Sequence, residues 1–361
     1  MIVLGFVAPE LQRALEEAAA NVPGVAAAVL TPEGTWTGAT GFADLRTRRP
    51  MTPSTRCYVG SISKTMTAAT ILILRDAGQL DVDERITHYM PGWRLAGSSA
   101  VRVRDLLTHT SGVEREGGFE YWFTGVFPTP EELRDQLRAL ELVAEPGTQW
   151  SYSNVGYAAL GQLLTVRANE DFETVVQRRL MEPLGMLRSG PRGPAPMDLA
   201  RAYTAPNERT SRDGREFAGL GARVGARTVR VYHDADAMAP AFGMYSTAED
   251  LARFAELVLG RTSLLSARSV EQMHTLQHAF DDDPRSGWTL GFRRTHDEHG
   301  WLLRHNGWFA AFRSHLSVRP EQGIAVVVLT NADDGGPEEI GMALTRALLG
   351  NTRAPLDVSS R

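Results

Sequence analysis

The sequence is short of several residue types, and each shortage narrows what the chain can be. Its 361 residues include one cysteine, Cys57, which excludes intramolecular disulfides and cysteine-based metal sites. Of its 38 basic residues one, Lys64, is a lysine, and the other 37 are arginines. No stretch approaches the roughly 20 apolar residues of a membrane-spanning helix. The net charge is −5, and the dispersed arginines form no basic patch, so we expect neither nucleic acid nor a membrane as a partner.

The N-terminus lacks the pattern of an export signal. Its first eight residues are apolar, but no basic segment precedes them, and Pro9-Glu10 interrupts the run. Such a run is too short and wrongly flanked for a signal peptide. We therefore expect a cytoplasmic protein whose stability comes from packing.

Hydrophobic periodicity predicts strands near both termini and helices between them. The expected helices cover residues 9–21, 61–77, 131–140, 155–168, 172–181 and 337–349. The expected strands cover residues 25–30, 35–41, 288–294, 301–305, 310–318 and 324–330. Short connections favour an antiparallel sheet assembled from both ends of the chain.

This order of elements predicts an α/β (α+β) fold with two domains. Residues 1–60 and 237–361 would form a discontinuous sandwich of sheet and helices. Residues 61–236 would form an inserted, mainly helical domain, with an irregular excursion over 190–236. We expect the active site between the two.

The single lysine lies three residues after Ser61, at the start of an apolar helix. Positions i and i+3 of a helix face the same way, so the Ser61 hydroxyl and the Lys64 amine can come within hydrogen-bonding reach. The helix N-terminus also offers free N–H groups for an oxyanion, and burial beside it lowers the pKa of an amine. Ser-x-x-Lys is common by chance, but lysine can be deprotonated and arginine cannot. A chain that keeps one lysine therefore points to a task for a titratable amine.

A second candidate element is Tyr152-Ser153-Asn154. A tyrosine phenol close to an ammonium can lose its proton and serve as a general base and then as an acid. The Asn154 amide can hydrogen-bond a substrate carbonyl or the lysine. Taken alone, the same residues would fit a turn followed by a helix N-cap.

The third element is His305-Asn306-Gly307, predicted at the end of a strand. Gly307 would let substrate lie against the strand edge. The backbone N–H of Trp308 would be an oxyanion donor together with that of Ser61. Tyr152 follows Ser61 by 91 residues and precedes His305 by 153, and the three elements in this order carry more weight than any one of them.

With residues 106–112 (LLTHTSG) and 243–251 (GMYSTAEDL), these elements resemble the serine β-lactamase and penicillin-binding-protein superfamily. The likeness is to the branch of class C β-lactamases, family VIII esterases, D-aminopeptidases and D-alanyl-D-alanine carboxypeptidases, and it runs from about residue 9 to 350. It implies a β-lactamase/transpeptidase-like fold with an antiparallel sheet, an all-helical domain and an active site between them.

The resemblance also implies roles for individual residues. Ser61 would be the nucleophile that forms an acyl-enzyme, Lys64 and Tyr152 would share the proton transfers, and Asn154 would orient substrate. His305 stands where class C β-lactamases carry lysine. Because histidine is neutral or half-charged near pH 7, this departure favours the esterase or transacylase members over enzymes that bind anionic substrates.

We therefore expect a cofactor-free serine enzyme that acts on a small ester or amide, with water completing the cycle. Acyl transfer to an amine or alcohol in natural-product assembly is the alternative. A catalytically inactive binding module is the third possibility. The acyl group, its stereochemistry and the oligomeric state stay open.

Several other clusters of polar or aromatic residues have both a functional and a purely structural interpretation. The aromatic residues of segment 119–127 would line an apolar pocket or belong to the core. Residues 296–299 (HDEH) fit a polar hairpin turn better than a metal site. His274 and His278, four apart on an expected helix, fit a solvated face, and His109 is expected to hold its loop.

Overall fold

The computed structural model describes residues 4–92, 100–191, 198–206, 218–230 and 234–350. Its helices are α1 (Leu4–Ala18), α2 (Ile62–Asp76), α3 (Ile86–Tyr89), α4 (Val103–Leu107), α5 (Tyr121–Thr124), α6 (Pro130–Ala139), α7 (Asn154–Ala168), α8 (Phe172–Val176), α9 (Ala248–Val258), α10 (Ala267–His274) and α11 (Pro337–Leu349). Its strands are β1 (Gly24–Thr31), β2 (Gly34–Asp44), β3 (Arg49–Pro50), β4 (Cys57–Tyr58), β5 (Ala202–Tyr203), β6 (Leu220–Val224), β7 (Arg227–Arg230), β8 (Tyr245–Ser246), β9 (His278–Ala279), β10 (Gly287–Trp288), β11 (Arg293–Asp297), β12 (Gly300–Phe309), β13 (Phe312–Arg319) and β14 (Ile324–Thr330).

A large antiparallel sheet joins the two ends of the chain. Within the described residues it has nine strands in the order β3-β2-β1-β14-β13-β12-β11-β10-β9. Strand β1 pairs with β2 on one side and with β14 on the other. The predicted antiparallel sheet built from both termini is confirmed.

Helices cover both faces of the centre of this sheet. All eight residues of β1 are buried. Val25 and Val29 pack into a cluster with side chains of α1 and α11, whereas Ala26 and Leu30 join the larger core that includes α2 and α9. This alternation follows from the two-residue period of a strand, and the predicted fold of a sheet flanked by helices is confirmed.

Helix α2 lies at the centre of the larger core. Its residues 62–74 are all buried, and it packs against α7 and against a π-helical turn, Ala239–Gly243. Helix α7 begins after Ser153, whose Oγ accepts a hydrogen bond from the Gly156 N–H at 2.9 Å. Ser153 is therefore the N-cap, and Asn154 is the first helical residue. The division into a sandwich domain and an inserted helical domain stays a prediction.

Two further element predictions, at the N-terminal helix and in the segment 190–236, need correction. Helix α1 begins at Leu4 and contains Pro9, which was expected at its first position. Since proline has no N–H, the helix forgoes one internal hydrogen bond there. Within the predicted irregular excursion, β5, β7 and β6 form a small sheet; residues 192–197, 207–217 and 231–233 lie outside the described part.

The C-terminal strands differ from prediction at two turns. The expected strand 288–294 is divided between β10 and β11 around Gly291, which has φ +103°. Strand β12 runs on to Phe309, and Ala310 and Ala311 form the turn, with φ of 49° and 66°. Left-handed dihedrals at both central residues are those of the tight hairpin turn that matches strand twist. His305, Asn306 and Gly307 consequently lie inside β12 and not at its end.

Of the two predictions about histidine clusters, one is confirmed and one is wrong. Asp297 pairs with Gly300 across the turn between β11 and β12, so the hairpin predicted for residues 296–299 is confirmed. The prediction that His274 and His278 share a solvated helix face is wrong, because α10 ends at His274 and His278 lies in β9. The His274 Nε2 atom lies 2.8 Å from the Val258 carbonyl oxygen, and the ring is half-buried.

Over the described ranges, no helix is long and apolar enough to cross a membrane.

Candidate active site

Ser61 is held at the N-terminus of α2 by the segment that precedes it. It occupies the N-cap position and is half-buried. The Val59 N–H donates to the Met244 carbonyl at 3.0 Å, and the Val59 carbonyl accepts from Ser314 Oγ at 2.7 Å. These bonds fix the position of Val59, between β4 and α2. They therefore also fix the position of Ser61 at the start of α2.

Two glycines allow that segment to lie against β12. Gly60 has φ +51°, and a Cβ added to it would lie 2.3 Å from the Trp308 nitrogen. A Cβ on Gly307 would lie 2.0 Å from the Val59 carbonyl oxygen and 2.2 Å from Ser314 Oγ. The close approach of two backbone segments thus requires glycine at position 307, and its predicted role toward substrate stays a prediction.

The backbone N–H of Trp308 points to the side of β12 on which Ser61 lies. The two-residue turn makes Phe309 and Phe312 the first hydrogen-bonded pair of the hairpin. Hydrogen-bonded and non-hydrogen-bonded pairs alternate in antiparallel strands, so the next pair, Trp308 with Arg313, is non-hydrogen-bonded. The Trp308 amide therefore faces away from β13, toward the space beside Gly60.

Lys64 is fully buried one helical turn after Ser61. Its Nζ lies 3.2 Å from Ser61 Oγ, 2.7 Å from Asn154 Oδ1 and 2.8 Å from the Ala241 carbonyl oxygen. Burial lowers the pKa of the amine well below its ordinary value; Glu116 acts in the opposite direction, and Arg115 lowers the pKa further. The expected contact between Ser61 and Lys64 is present, and the environment favours the neutral amine.

Tyr152 is half-buried on the other side of this pair. The Lys64 Nζ lies 4.7 Å from the centre of its ring, and its hydroxyl is hydrogen-bonded to Ser61. Burial raises the pKa of the phenol above its ordinary value, although the bond to Ser61 lowers it. The pKa directions thus favour a neutral phenol beside a neutral amine, so the structure supports the expected deprotonated lysine and does not favour the phenolate that a neighbouring ammonium would permit.

Asn154 is also buried, and both polar atoms of its amide are engaged. Its Oδ1 accepts from Lys64, and its Nδ2 lies 2.9 and 3.0 Å from the two carboxylate oxygens of Glu116. Of the two roles that the sequence left open, the lysine contact is the one that the structure contains. Glu116 itself escaped the sequence analysis, because no spacing relates it to Ser61, Tyr152 or His305.

His305 lies in the wall of the cleft and is 5% exposed. Its Nδ1 is 2.8 Å from the Asn306 carbonyl oxygen, so Nδ1 carries the proton, and the buried Nε2 has no hydrogen-bond partner within the described residues. Burial lowers the pKa of His305 to about 3, and the charge of Lys64 acts in the same direction. The imidazole is therefore neutral near pH 7 and offers an acceptor, not a cation.

These side chains line one cleft of about 420 Å³, open to solvent. Three tryptophans and four arginines contribute to its walls, and its lining is Ser61, Arg115, Trp150, Tyr152, Trp288, Arg293, Arg304, His305, Asn306, Gly307, Trp308, Arg313 and Glu338. The predicted residues Ser61, Tyr152, His305, Gly307 and Trp308 line this cleft, whereas the buried Lys64 and Asn154 do not. The predicted residues are thus brought together.

The aromatic segment 119–127 has a packing role. Phe119, Trp122 and Phe127 pack against the main core, Tyr121 is buried, and the space left among them is about 20 Å³. A space of that size is far below the roughly 300 Å³ or more of a small-molecule pocket. Of the two interpretations of this segment, the core is the one that the structure supports.

His109 holds its loop, as expected. It is fully buried with φ +59°, and its Nδ1 accepts the Ser153 N–H at 3.0 Å. Its ring lies 4.3 Å from that of Tyr152. His109 thereby connects loop 106–112 to the tyrosine element.

In the described ranges, no group of three or more His, Cys, Asp or Glu side chains could hold a metal ion.

Comparison with protein families gives one match along nearly the whole chain. A family model described as Beta-lactamase matches residues 11–351. Esterase EstB of Burkholderia gladioli is 28% identical over 342 residues, which cover 86% of each protein. Penicillin-binding protein 4 of Amycolatopsis lactamdurans is 28% identical over 351 residues, 91% of this chain and 86% of that protein.

Other relatives are longer, and solved structures share the fold. The chain spans 56% of the length of protein flp of Staphylococcus aureus (strain COL), to which it is 22% identical over 299 residues. The crystal structure of a D-stereospecific amidohydrolase from Streptomyces sp. superposes with a TM-score of 0.76 at 26% identity, covering 95% of this chain and 99% of that one.

Proposed function

This chain belongs to the β-lactamase family, and from that premise we propose that it is a serine hydrolase that forms an acyl-enzyme at Ser61. One observation carries the proposal: Ser61 Oγ lies 3.2 Å from the amine of a fully buried lysine whose pKa is held well below its ordinary value. A neutral amine at that distance is a general base for a serine hydroxyl.

The proposed reaction follows from this arrangement. Ser61 Oγ attacks the carbonyl carbon of an ester or amide while its proton passes to Lys64. The N–H groups of Ser61 and Trp308 stabilise the oxyanion that forms. Tyr152, a neutral phenol, donates a proton to the departing alcohol or amine and is reprotonated at the expense of the Lys64 ammonium. Water then hydrolyses the acyl-enzyme and regenerates Ser61.

The names of the relatives and the charges of the cleft bear on the substrate. One relative is an esterase and another an amidohydrolase, which supports an ester or amide as the group cleaved. His305 supplies no positive charge at neutral pH. A negatively charged group on the substrate would therefore meet the arginines of the cleft wall, Arg293 and Arg313 among them.

Labelling with a fluorophosphonate, followed by intact mass, tests the nucleophile. We expect one adduct on the wild-type protein, none on Ser61→Ala, and one on the control Ser54→Ala, whose serine does not line the cleft. Equal labelling of wild type and Ser61→Ala would refute the mechanism. Any turnover that depends on Ser61 would exclude an inactive binding module.

Acyl transfer to an amine or alcohol remains the second candidate for the family chemistry. Transfer needs a site from which water is kept away, whereas the half-buried Ser61 opens onto a cleft of about 420 Å³; this favours hydrolysis. Product analysis with p-nitrophenyl esters, with and without added amines, separates the two. Amide product formed far faster than free acid would establish transfer.

A further inference from the structure

We propose that Glu116 is a positioning residue for acylation: its carboxylate fixes the orientation of the Asn154 amide, and through it directs the lone pair of Lys64 at Ser61. The inference rests on the function proposed above and adds a residue to it. Glu116 does not line the cleft and so does not meet substrate there.

The first step concerns the asparagine. A side-chain amide can face either way, and its neighbours decide which orientation is stable. Both oxygens of Glu116 lie within 3.0 Å of Asn154 Nδ2, and a carboxylate only accepts hydrogen bonds. The NH₂ group must therefore face Glu116. The carbonyl oxygen, Oδ1, is left facing Lys64, 2.7 Å from Nζ.

The carboxylate is itself fixed by other donors. The Tyr121 hydroxyl donates to Oε2, and Arg115 Nε lies 3.1 Å from Oε1. Tyr121 is 1% exposed and packed among the aromatic side chains of its segment. Glu116 thus connects a rigid aromatic cluster to the amide that contacts the lysine.

The second step concerns the lysine. A neutral amine has two N–H donors and one lone pair. Asn154 Oδ1 and the Ala241 carbonyl oxygen can only accept, so each takes one N–H. The third direction around Nζ leads to Ser61 Oγ at 3.2 Å. The lone pair consequently points at the hydroxyl, which is the geometry that removes its proton.

If the Asn154 amide were reversed, its NH₂ group would face Nζ. The lone pair of Lys64 would then accept that N–H, and an N–H of the amine would turn toward Ser61. The base would be lost without any change in the distance between Ser61 and Lys64. By excluding this orientation, Glu116 controls whether the neutral amine can act.

The negative charge of Glu116 has a separate, measurable effect. It raises the pKa of Lys64, against the larger effect of burial. Removing the charge should therefore lower the pKa of Lys64 and extend its neutral form to lower pH. The acidic limb of kcat/KM, where the rate rises as the ammonium loses its proton, should move to lower pH.

Glu116→Gln tests both effects, because it keeps the shape, removes the charge and allows either amide orientation. We expect kcat/KM on the plateau to fall about 10- to 100-fold, as for loss of a hydrogen bond to a charged group, while the acidic limb moves to lower pH. The matched control is Glu114→Gln, the same change at an exposed residue two positions away. For this control we expect a plateau within about twofold of wild type and an unmoved limb.

A double-mutant cycle with Asn154→Ala shows whether Glu116 acts through the asparagine. If it does, adding Glu116→Gln to Asn154→Ala should lower the plateau by less than about threefold. Additive losses would overturn the proposal, and so would an unmoved acidic limb or a plateau equal to that of Glu114→Gln. Should Glu116→Gln fail to fold, Glu116→Asp replaces it in the cycle; its retained charge should leave the limb in place, and additivity again refutes the idea.

The failure of this inference can be told from failure of the proposed function. If Ser61→Ala is unlabelled by the fluorophosphonate but Glu116→Gln behaves as wild type, the serine mechanism stands and only the role of Glu116 falls. If Ser61→Ala is labelled as wild type is, the mechanism itself is wrong.

Discussion

Replacing Gly60 by alanine tests whether the close approach of the Ser61 segment to β12 creates the oxyanion site. Gly60 has φ +51°, and a left-handed conformation costs an L-residue about 1–2 kcal/mol. Its Cβ would also lie 2.3 Å from the nitrogen and 2.7 Å from the carbonyl carbon of Trp308. Both are backbone atoms, so relief requires the two segments to separate.

That separation would displace the Trp308 N–H from the oxyanion site proposed above. Loss of one such donor lowers kcat about 10²–10³-fold. Gly78 is the matched control, because it has φ +71° and a Cβ there would meet nothing within 4 Å. Gly78→Ala carries the same backbone penalty without the collision, so it should lose about 1–2 kcal/mol of stability and no activity.

The assay combines equilibrium unfolding in urea with kcat/KM for a p-nitrophenyl ester. We expect both variants to lose stability, and only Gly60→Ala to lose about 10²-fold or more in kcat/KM. A Gly60→Ala protein with wild-type kcat/KM would refute the argument, as would an equal loss of activity in Gly78→Ala, since either result would separate catalysis from this backbone contact.

Two further predictions concern titratable groups. Lys64→Arg keeps the charge but cannot be deprotonated, so we expect acylation to fall about 10²–10⁴-fold, measured as the burst of p-nitrophenol; near-normal acylation would contradict the neutral-amine argument. Burial lowers the pKa of His315 to about 3, with Arg304 acting in the same direction. Between pH 6.5 and 3 the unfolded state therefore binds more protons, and His315 reduces the free energy of unfolding by up to about 1.4 kcal/mol for each pH unit of acidification. His315→Gln should flatten this slope in urea titrations at pH 7 to 4, and an unchanged slope would show that His315 is not the cause.

The parts of the site that depend on local sequence were predictable. Ser61 and Lys64 belong to one helix, and the i, i+3 relation alone brings their side chains together. Strand β14 is a continuous apolar run, and its bounds, Ile324–Thr330, match the prediction because nothing but burial on both faces determines it. The family likeness was also confirmed by the match over residues 11–351.

The parts that depend on contacts between distant segments were not predictable. Glu116 acquires its role from Asn154, 38 positions away, and no periodicity relates the two. The reason for Gly307 is the Val59 carbonyl, which reaches it only when β12 is placed beside the start of α2. The left-handed turn at Ala310 and Ala311 contains neither the glycine nor the asparagine typical of such a turn. The prediction therefore placed the connection at residues 306–309 and both alanines in the following strand.

The structure gives a physical reason for the position of the single lysine. Arg319 is 4% exposed and is matched by Asp297, whose Oδ1 lies 3.0 Å from Nη1. A buried group that cannot lose its charge needs an opposite charge in contact with it. Lys64 is more deeply buried, yet its three hydrogen-bond partners are a hydroxyl, an amide oxygen and a backbone carbonyl, and Asn154 lies between it and the carboxylate of Glu116. Such a set of neutral acceptors suits an amine that gives up its proton, which no arginine at this position could do. The one lysine among 38 basic residues therefore stands where the fold provides for a neutral base and not for a cation.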